Sequence, residues 1–257
     1  MLGTLALFIT GISIFILRRR REKGAEIDFD SRITQRDLGV FLLVYLSAIS
    51  IAFVLPQQTK ALIAPLFVAI YVAYVWRVFK TDKGGSRALP EPLTLESWAA
   101  RLTNVTARQN PKLWLVMVQT TFSLLLIIAG AQLFVNQIVS LAAQLNASAT
   151  LLALIIVPVA TELPEKLNSV IWVSQGKDAL ALGNITGSMV FQSCIPVAFG
   201  VAFTGWALGS IELLSAVLVL TAGLWVYVLS AKAKLVAPAL IVNGVLYVLF
   251  LSIALRG

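Results

Sequence analysis

The chain has 257 residues, 59% of them hydrophobic and 12% charged, with a mean hydropathy of +0.90, which excludes an ordinary soluble domain. Its net charge of +8 is not the footprint of a nucleic-acid binder, because the basic residues flank the apolar runs as membrane topology requires. Histidine is absent and the one cysteine is Cys194, so a histidine proton relay, Cys–His chemistry and an intrachain disulfide are excluded.

Eight apolar segments follow in order, at approximately 1–17, 38–55, 61–79, 112–140, 148–175, 178–204, 211–230 and 235–255. Their lengths predict an all-α, polytopic membrane protein with about eight transmembrane segments. Met1 to Leu17 reads as a spanning helix stopped by Arg18–Arg21, not as a secretory signal peptide, because the basic cluster follows the apolar run. Only Pro56–Lys60 separates the second and third segments, which suits a tight helical hairpin or a re-entrant pair. The fourth is long for one span and is expected to turn along the interface near Asn136 and Gln137.

Charge divides the connections into two sets. The first, third, fifth and seventh carry seventeen Lys/Arg, whereas the other side carries only Lys60 and Arg256. The positive-inside rule then places both termini outside the cytoplasm. The compact loops suit a prokaryotic inner membrane. The longest connection contains Gly84, Gly85, Pro90 and Pro92 and divides the chain along its length into N-terminal helices (1–80), a cytoplasmic linker (81–111) and a five-helix membrane part (112–257). Within that linker Leu95–Leu102 is a candidate surface helix.

The chemistry concentrates in segments five and six. Thr161, Glu162, Pro164 and Glu165 sit in an apolar run, and these two glutamates are the only carboxylates expected deep in a membrane segment. A charge at that depth costs roughly 2.5–3.5 kcal/mol on insertion scales, so it marks a functional site by default. Pro164 has no N–H, so the carbonyl of Ala160, four residues back, loses its helix partner. Two carboxylates, a hydroxyl and a freed carbonyl make a set of oxygen ligands suited to hard cations.

Segment six opens at Lys177–Asp178 and carries Gly183, Gly187, Ser188 and Gln192. Gly183 and Gly187 are spaced for close helix approach. A crossing at the glycines would gather Thr161, Glu162, Glu165, Ser188 and Gln192 into one polar pocket. The plainer alternative makes Glu162–Lys166 a structural ion pair at the favourable spacing of four, with Ser188 and Gln192 hydrogen-bonding between helices.

Thr161-Glu162-Leu163-Pro164-Glu165, followed by Leu182-Gly183-Asn184-Ile185-Thr186-Gly187-Ser188, resembles the second α-repeat of the cation/calcium exchanger superfamily, over about residues 145–204. The resemblance implies half of an inverted-repeat exchanger fold. It implies that Glu165 is the main cation ligand and that Thr161, Ser188 and Gln192 join it. Glu162 stands where the family usually has serine, and Gln192 stands at its Asn/Asp position. The implied activity is antiport of Ca²⁺ against Na⁺ or H⁺ by alternating access, with no cofactor beyond the transported ions and no enzymatic reaction. No second Thr-x-x-Pro-Glu occurs in residues 1–140. The implied partner, besides membrane lipid, is therefore a second α-repeat half: an upstream part of a longer exchanger, a separate subunit or a second copy. The charge bias disfavours the second copy, since an inverted pair needs two opposite insertions. The rival reading is a non-transporting membrane scaffold or accessory subunit; a paired-carboxylate hydrolase lacks any nucleophile motif.

Overall fold

A computed structural model describes residues 2–81, 113–145, 167–232 and 235–254. The helices are α1 (Leu2–Leu17), α2 (Ser31–Val54), α3 (Gln57–Thr81), α4 (Leu113–Leu145), α5 (167–174), α6 (Asp178–Phe203), α7 (Ser210–Ala231) and α8 (Ala237–Ala254). The described residues contain no strand, only a bridge between Glu26 and Val236. Among the described residues six helices, α2, α3, α4, α6, α7 and α8, are long and apolar enough to cross a membrane. The chain is an all-α, polytopic integral membrane protein. The linker from 82 to 112, with its candidate helix Leu95–Leu102, lies outside the described residues.

The helices start and stop for local reasons. The apolar run predicted α2 from residue 38, yet it begins at Ser31, because the Asp30 side chain accepts hydrogen bonds from the amides of Arg32 (2.8 Å) and Ile33 (3.3 Å). Such an N-cap is worth about 0.5–2 kcal/mol and outweighs the low hydropathy of the first two turns. Leu55 and Pro56 alone separate α2 from α3, so the pair is a full helical hairpin with no re-entrant element. The fourth segment turns nowhere near Asn136 or Gln137: α4 runs as helix to Leu145. No strong breaker interrupts it there.

At the end of α5 the amide of Lys177 donates to the carbonyl of Trp172 (2.8 Å) and that of Gly176 to Val173 (3.1 Å). Gly176 has φ +72°, where a side chain would be strained. This paired closure of a helix C-terminus needs a left-handed residue at that position.

Residues 1–77 and 154–257 form one compact unit, and 78–153 another. In the first, α1 packs along α8, α2 packs between α6 and α7, and α7 also touches α8. Packing thus joins helices from both ends of the chain. Leu7 and Ile14 of α1, Leu38 of α2, Leu182 and Val190 of α6, Val226 of α7 and Leu240 of α8 are buried in the core. The close crossings occur at glycines: a Cβ on Gly11 would lie 2.8 Å from Leu240 Cβ, and one on Gly223 would lie 2.8 Å from the Phe41 ring. In the second unit, α4 exposes Leu124 through Ile128 at 53–66%, as an apolar helix does when its solvent is lipid.

The connections of the first unit gather at two ends. At one, Arg21 and the amide of Asp28 (3.1 Å) both donate to Asp178, Ile27 N–H donates to Leu235 (3.1 Å), and Ser31 donates to the carbonyl of Ser230 (2.7 Å). At the other, Lys60 donates to the carbonyls of Ala52 (3.1 Å) and Trp206 (3.2 Å), and the Trp206 indole donates to Ala48 (2.8 Å). Of the four connections grouped by charge as one side, described residues of the first, fifth and seventh meet at the first end, and the third, from 82 to 112, lies outside the described residues.

Candidate ion-binding site

Helix α6 carries the Gly183–Ser188 motif, and its burial pattern divides the motif between two faces. Ala181, Leu182, Ile185, Thr186, Met189, Val190, Ser193 and Cys194 are buried. Gly183, Asn184, Gly187, Ser188, Phe191 and Gln192 are half-buried or exposed. The spacing of three and four produces this division on a helix. Ser188 and Gln192 therefore share one half-buried face, apart from the buried one. Ser188 Oγ donates to the carbonyl of Ile185 (2.9 Å), which leaves its lone pairs free to act as acceptors or ligands.

No described atom lies within 4 Å of a Cβ built on Gly183 or Gly187. Two small residues thus leave a smooth strip beside Ser188. Thr161, Glu162 and Glu165, the Glu162–Lys166 pair and the expected crossing of segment five all lie outside the described residues. Of the five predicted ligands, Ser188 and Gln192 are the two whose placement is described, and they are on the same face.

The buried face holds a functional group that hydropathy hid. Asp37, two turns into α2, is 2% exposed. Its Oδ2 accepts from Thr186 Oγ1 (3.0 Å), inside the motif. Its Oδ1 accepts from Tyr74 Oη (2.9 Å) and from Arg36 Nε and Nη2 (each 3.0 Å). Asp37 is therefore a carboxylate inside a membrane-length helix beyond the two that the sequence marks, because the apolar run starting at Leu38 placed it in the preceding connection. The overlooked signal is the spacing of Thr34, Asp37, Leu38, Phe41, Val44 and Ala48, all buried on one stripe of α2. With four donors around it, Asp37 is a neutralised anchor and not a vacant ligand.

Asp178 is a second buried carboxylate, at the first residue of α6, with a side chain 1% exposed against 9% for its partner Arg21. Its other oxygen has no partner among the described residues. These residues hold no cluster of three or more Asp, Glu, Cys or His able to bind a metal.

A family model for the sodium/calcium exchanger protein matches residues 115–256, more than half of the chain, and includes the whole motif-bearing stretch. The chain belongs to the sodium/calcium exchanger family. Among curated relatives, the putative antiporter CaxA of Alkalimonas amylolytica is 32% identical over 152 residues, covering 59% of this chain and 45% of the relative. Among solved structures, the H⁺/Ca²⁺ exchanger CAX superposes with a TM-score of 0.66 at 17% identity, covering 98% of this chain and 64% of that one. The second likeness shows the fold. This exchanger-family chain thus spans about half the length of the curated relative it matches.

Proposed function

We propose that this chain is one half of a cation antiporter, exchanging Ca²⁺ for Na⁺ or H⁺ by alternating access. The observation that carries this reading is the division of α6: Ser188 and Gln192 share a half-buried face beside two glycines, while the opposite face is buried and α6 packs on α2. Glu165 is the main ligand, Glu162 a second one, and Thr161 completes the oxygen set from segment five. Both relatives are named as exchangers or antiporters, which supports the class of activity.

The mechanism follows from charge. Two carboxylates compensate one Ca²⁺ or a pair of monovalent ions equally well. An empty, doubly charged pocket is costly to occlude, so one ion leaves only as the other enters, and the two fluxes are coupled. A second α-repeat half supplies the facing ligands. The basic end, with Arg18–Arg21, faces the cytoplasm of a prokaryotic inner membrane.

The test is gradient-driven Ca²⁺ uptake in sealed liposomes. Uptake should be present when both halves are assembled and abolished by Glu165→Gln. Undiminished uptake by that variant would remove Glu165 from the site.

A further inference from the structure

The hydroxyls of α6 do not all behave alike. Ser188 turns back to the carbonyl of Ile185 and Ser193 to that of Val190 (each 2.9 Å), so both bond within their own helix. Thr186 lies 3.4 Å from the carbonyl of Gly183 in its own helix, but its shorter bond, 3.0 Å, reaches across to Asp37 on α2. Asp37 is in turn fixed by Arg36 and by Tyr74 of α3, so one carboxylate links three helices. Around this link α6 packs on α2, and both contribute apolar side chains to the shared core, among them Leu182, Ile185 and Val190 of α6 and Leu38 and Val44 of α2.

Apolar packing is non-directional and tolerates small rotations of a helix about its axis. A charge-assisted hydrogen bond is directional and does not. Thr186 and Ser188 are two residues apart, roughly 200° around the helix at 3.6 residues per turn. Fixing Thr186 against α2 therefore fixes the direction in which Ser188, and Gln192 one turn on, point away from it.

We infer that Asp37 is a positioning residue for ion binding: through Thr186 it sets the rotation of α6 and so aims Ser188 and Gln192 at the cation. Asp37 does not touch the ion. It acts from the opposite side of the helix, and this role rests on the exchanger reading for its functional consequence.

The experiment uses the full chain with Cys194→Ala and one reporter cysteine, Asn184→Cys, on the half-buried face one turn from Ser188. The rate at which a small water-soluble thiosulfonate modifies the reporter reads the rotation of α6 whether or not the protein transports. Thr186→Val, which keeps the shape and removes the hydroxyl, and Asp37→Asn should each change that rate several-fold. Thr186→Ser should restore the parent rate. In the uptake assay, with the partner half present, the same two variants should raise the KM for Ca²⁺ by roughly tenfold, as loss of a group orienting a metal ligand does, with a smaller change in maximal rate.

Parent modification rates in Thr186→Val, in protein with a normal melting transition, would overturn the inference and leave Asp37 a purely structural anchor. Should the parent show no uptake even with its partner half, the exchanger reading fails on its own, while the modification rates still decide whether Asp37 sets the rotation of α6.

Discussion

Asp178→Asn removes one charge and almost nothing else. The asparagine oxygen still accepts from the amide of Asp28, which lies 3.1 Å from the present carboxylate, and the side-chain volume is unchanged. What remains is Arg21, 9% exposed and without its counter-charge. Its bonds to the carbonyls of Gly24 (3.3 Å) and Glu26 (3.4 Å) are long and do not neutralise it. Removing one partner of a buried pair costs about 3–5 kcal/mol, since the other charge stays desolvated. Arg21→Met should cost a similar amount for the mirror reason. The double variant Arg21→Met with Asp178→Asn should be much less destabilised than the sum of the two, with a coupling of about 2 kcal/mol or more, because both charges are gone and the Asp28 amide keeps its acceptor. Detergent-titrated unfolding, followed by tryptophan fluorescence, measures all four corners of the cycle. Salt should change the coupling little, as buried pairs are poorly screened. A cost for Asp178→Asn of less than about 0.5 kcal/mol, with additive singles, would show that the pair is solvated and that burial has been given too much weight.

Other perturbations separate packing from function. Gly11→Ala places a Cβ 2.8 Å from Leu240 Cβ and 2.9 Å from the amide nitrogen of Ile241, where the backbone of α8 cannot yield easily. It should lower stability by about 1–3 kcal/mol in the same unfolding assay. Gly187→Ala meets no described atom within 4 Å. Its stability should stay within about 0.5 kcal/mol of the parent while Ca²⁺ uptake falls, because the crowded surface is that beside Ser188. Lys60→Met keeps the stem but leaves the carbonyls of Ala52 and Trp206 without their donor. A loss of about 1–3 kcal/mol and faster proteolysis in the 204–209 connection are expected.

The helical class and the order of the described helices were legible because uninterrupted apolar runs bounded by charge or proline have few other structures open to them. Helix edges were less legible where polar residues belong to a helix. Hydropathy stops at Leu38, whereas the N-cap that starts α2 is Asp30, and Asp37 was lost in the interval. A carboxylate neutralised by Arg36, Tyr74 and Thr186 is tolerated inside a helix, but two of those partners are 37 and 149 residues away in sequence and no local window contains them.

Glycine spacing gave a mixed lesson. The Gly183–Gly187 pair drew attention because its period is regular, yet the tight crossings described in the fold are at Gly11 and Gly223, which have no partner glycine four residues away. Backbone approach depends on what the facing helix presents, here Leu240 and Phe41, and that is tertiary information. The motif was legible as a family pattern, and the family match over residues 115–256 includes it. Its two-faced character was not: that Thr186 anchors while Ser188 and Gln192 lie on the half-buried side became visible only once α2 was seen packed against α6.

The measurement that bears most directly on the central claim is Na⁺- or H⁺-gradient-driven Ca²⁺ uptake in liposomes containing this chain together with the proposed second α-repeat half, with Glu165→Gln run beside it. The account predicts uptake that collapses when the gradient is dissipated and is absent in the variant at equal protein level. Uptake of equal size in the variant, or none in the assembled parent, would contradict it.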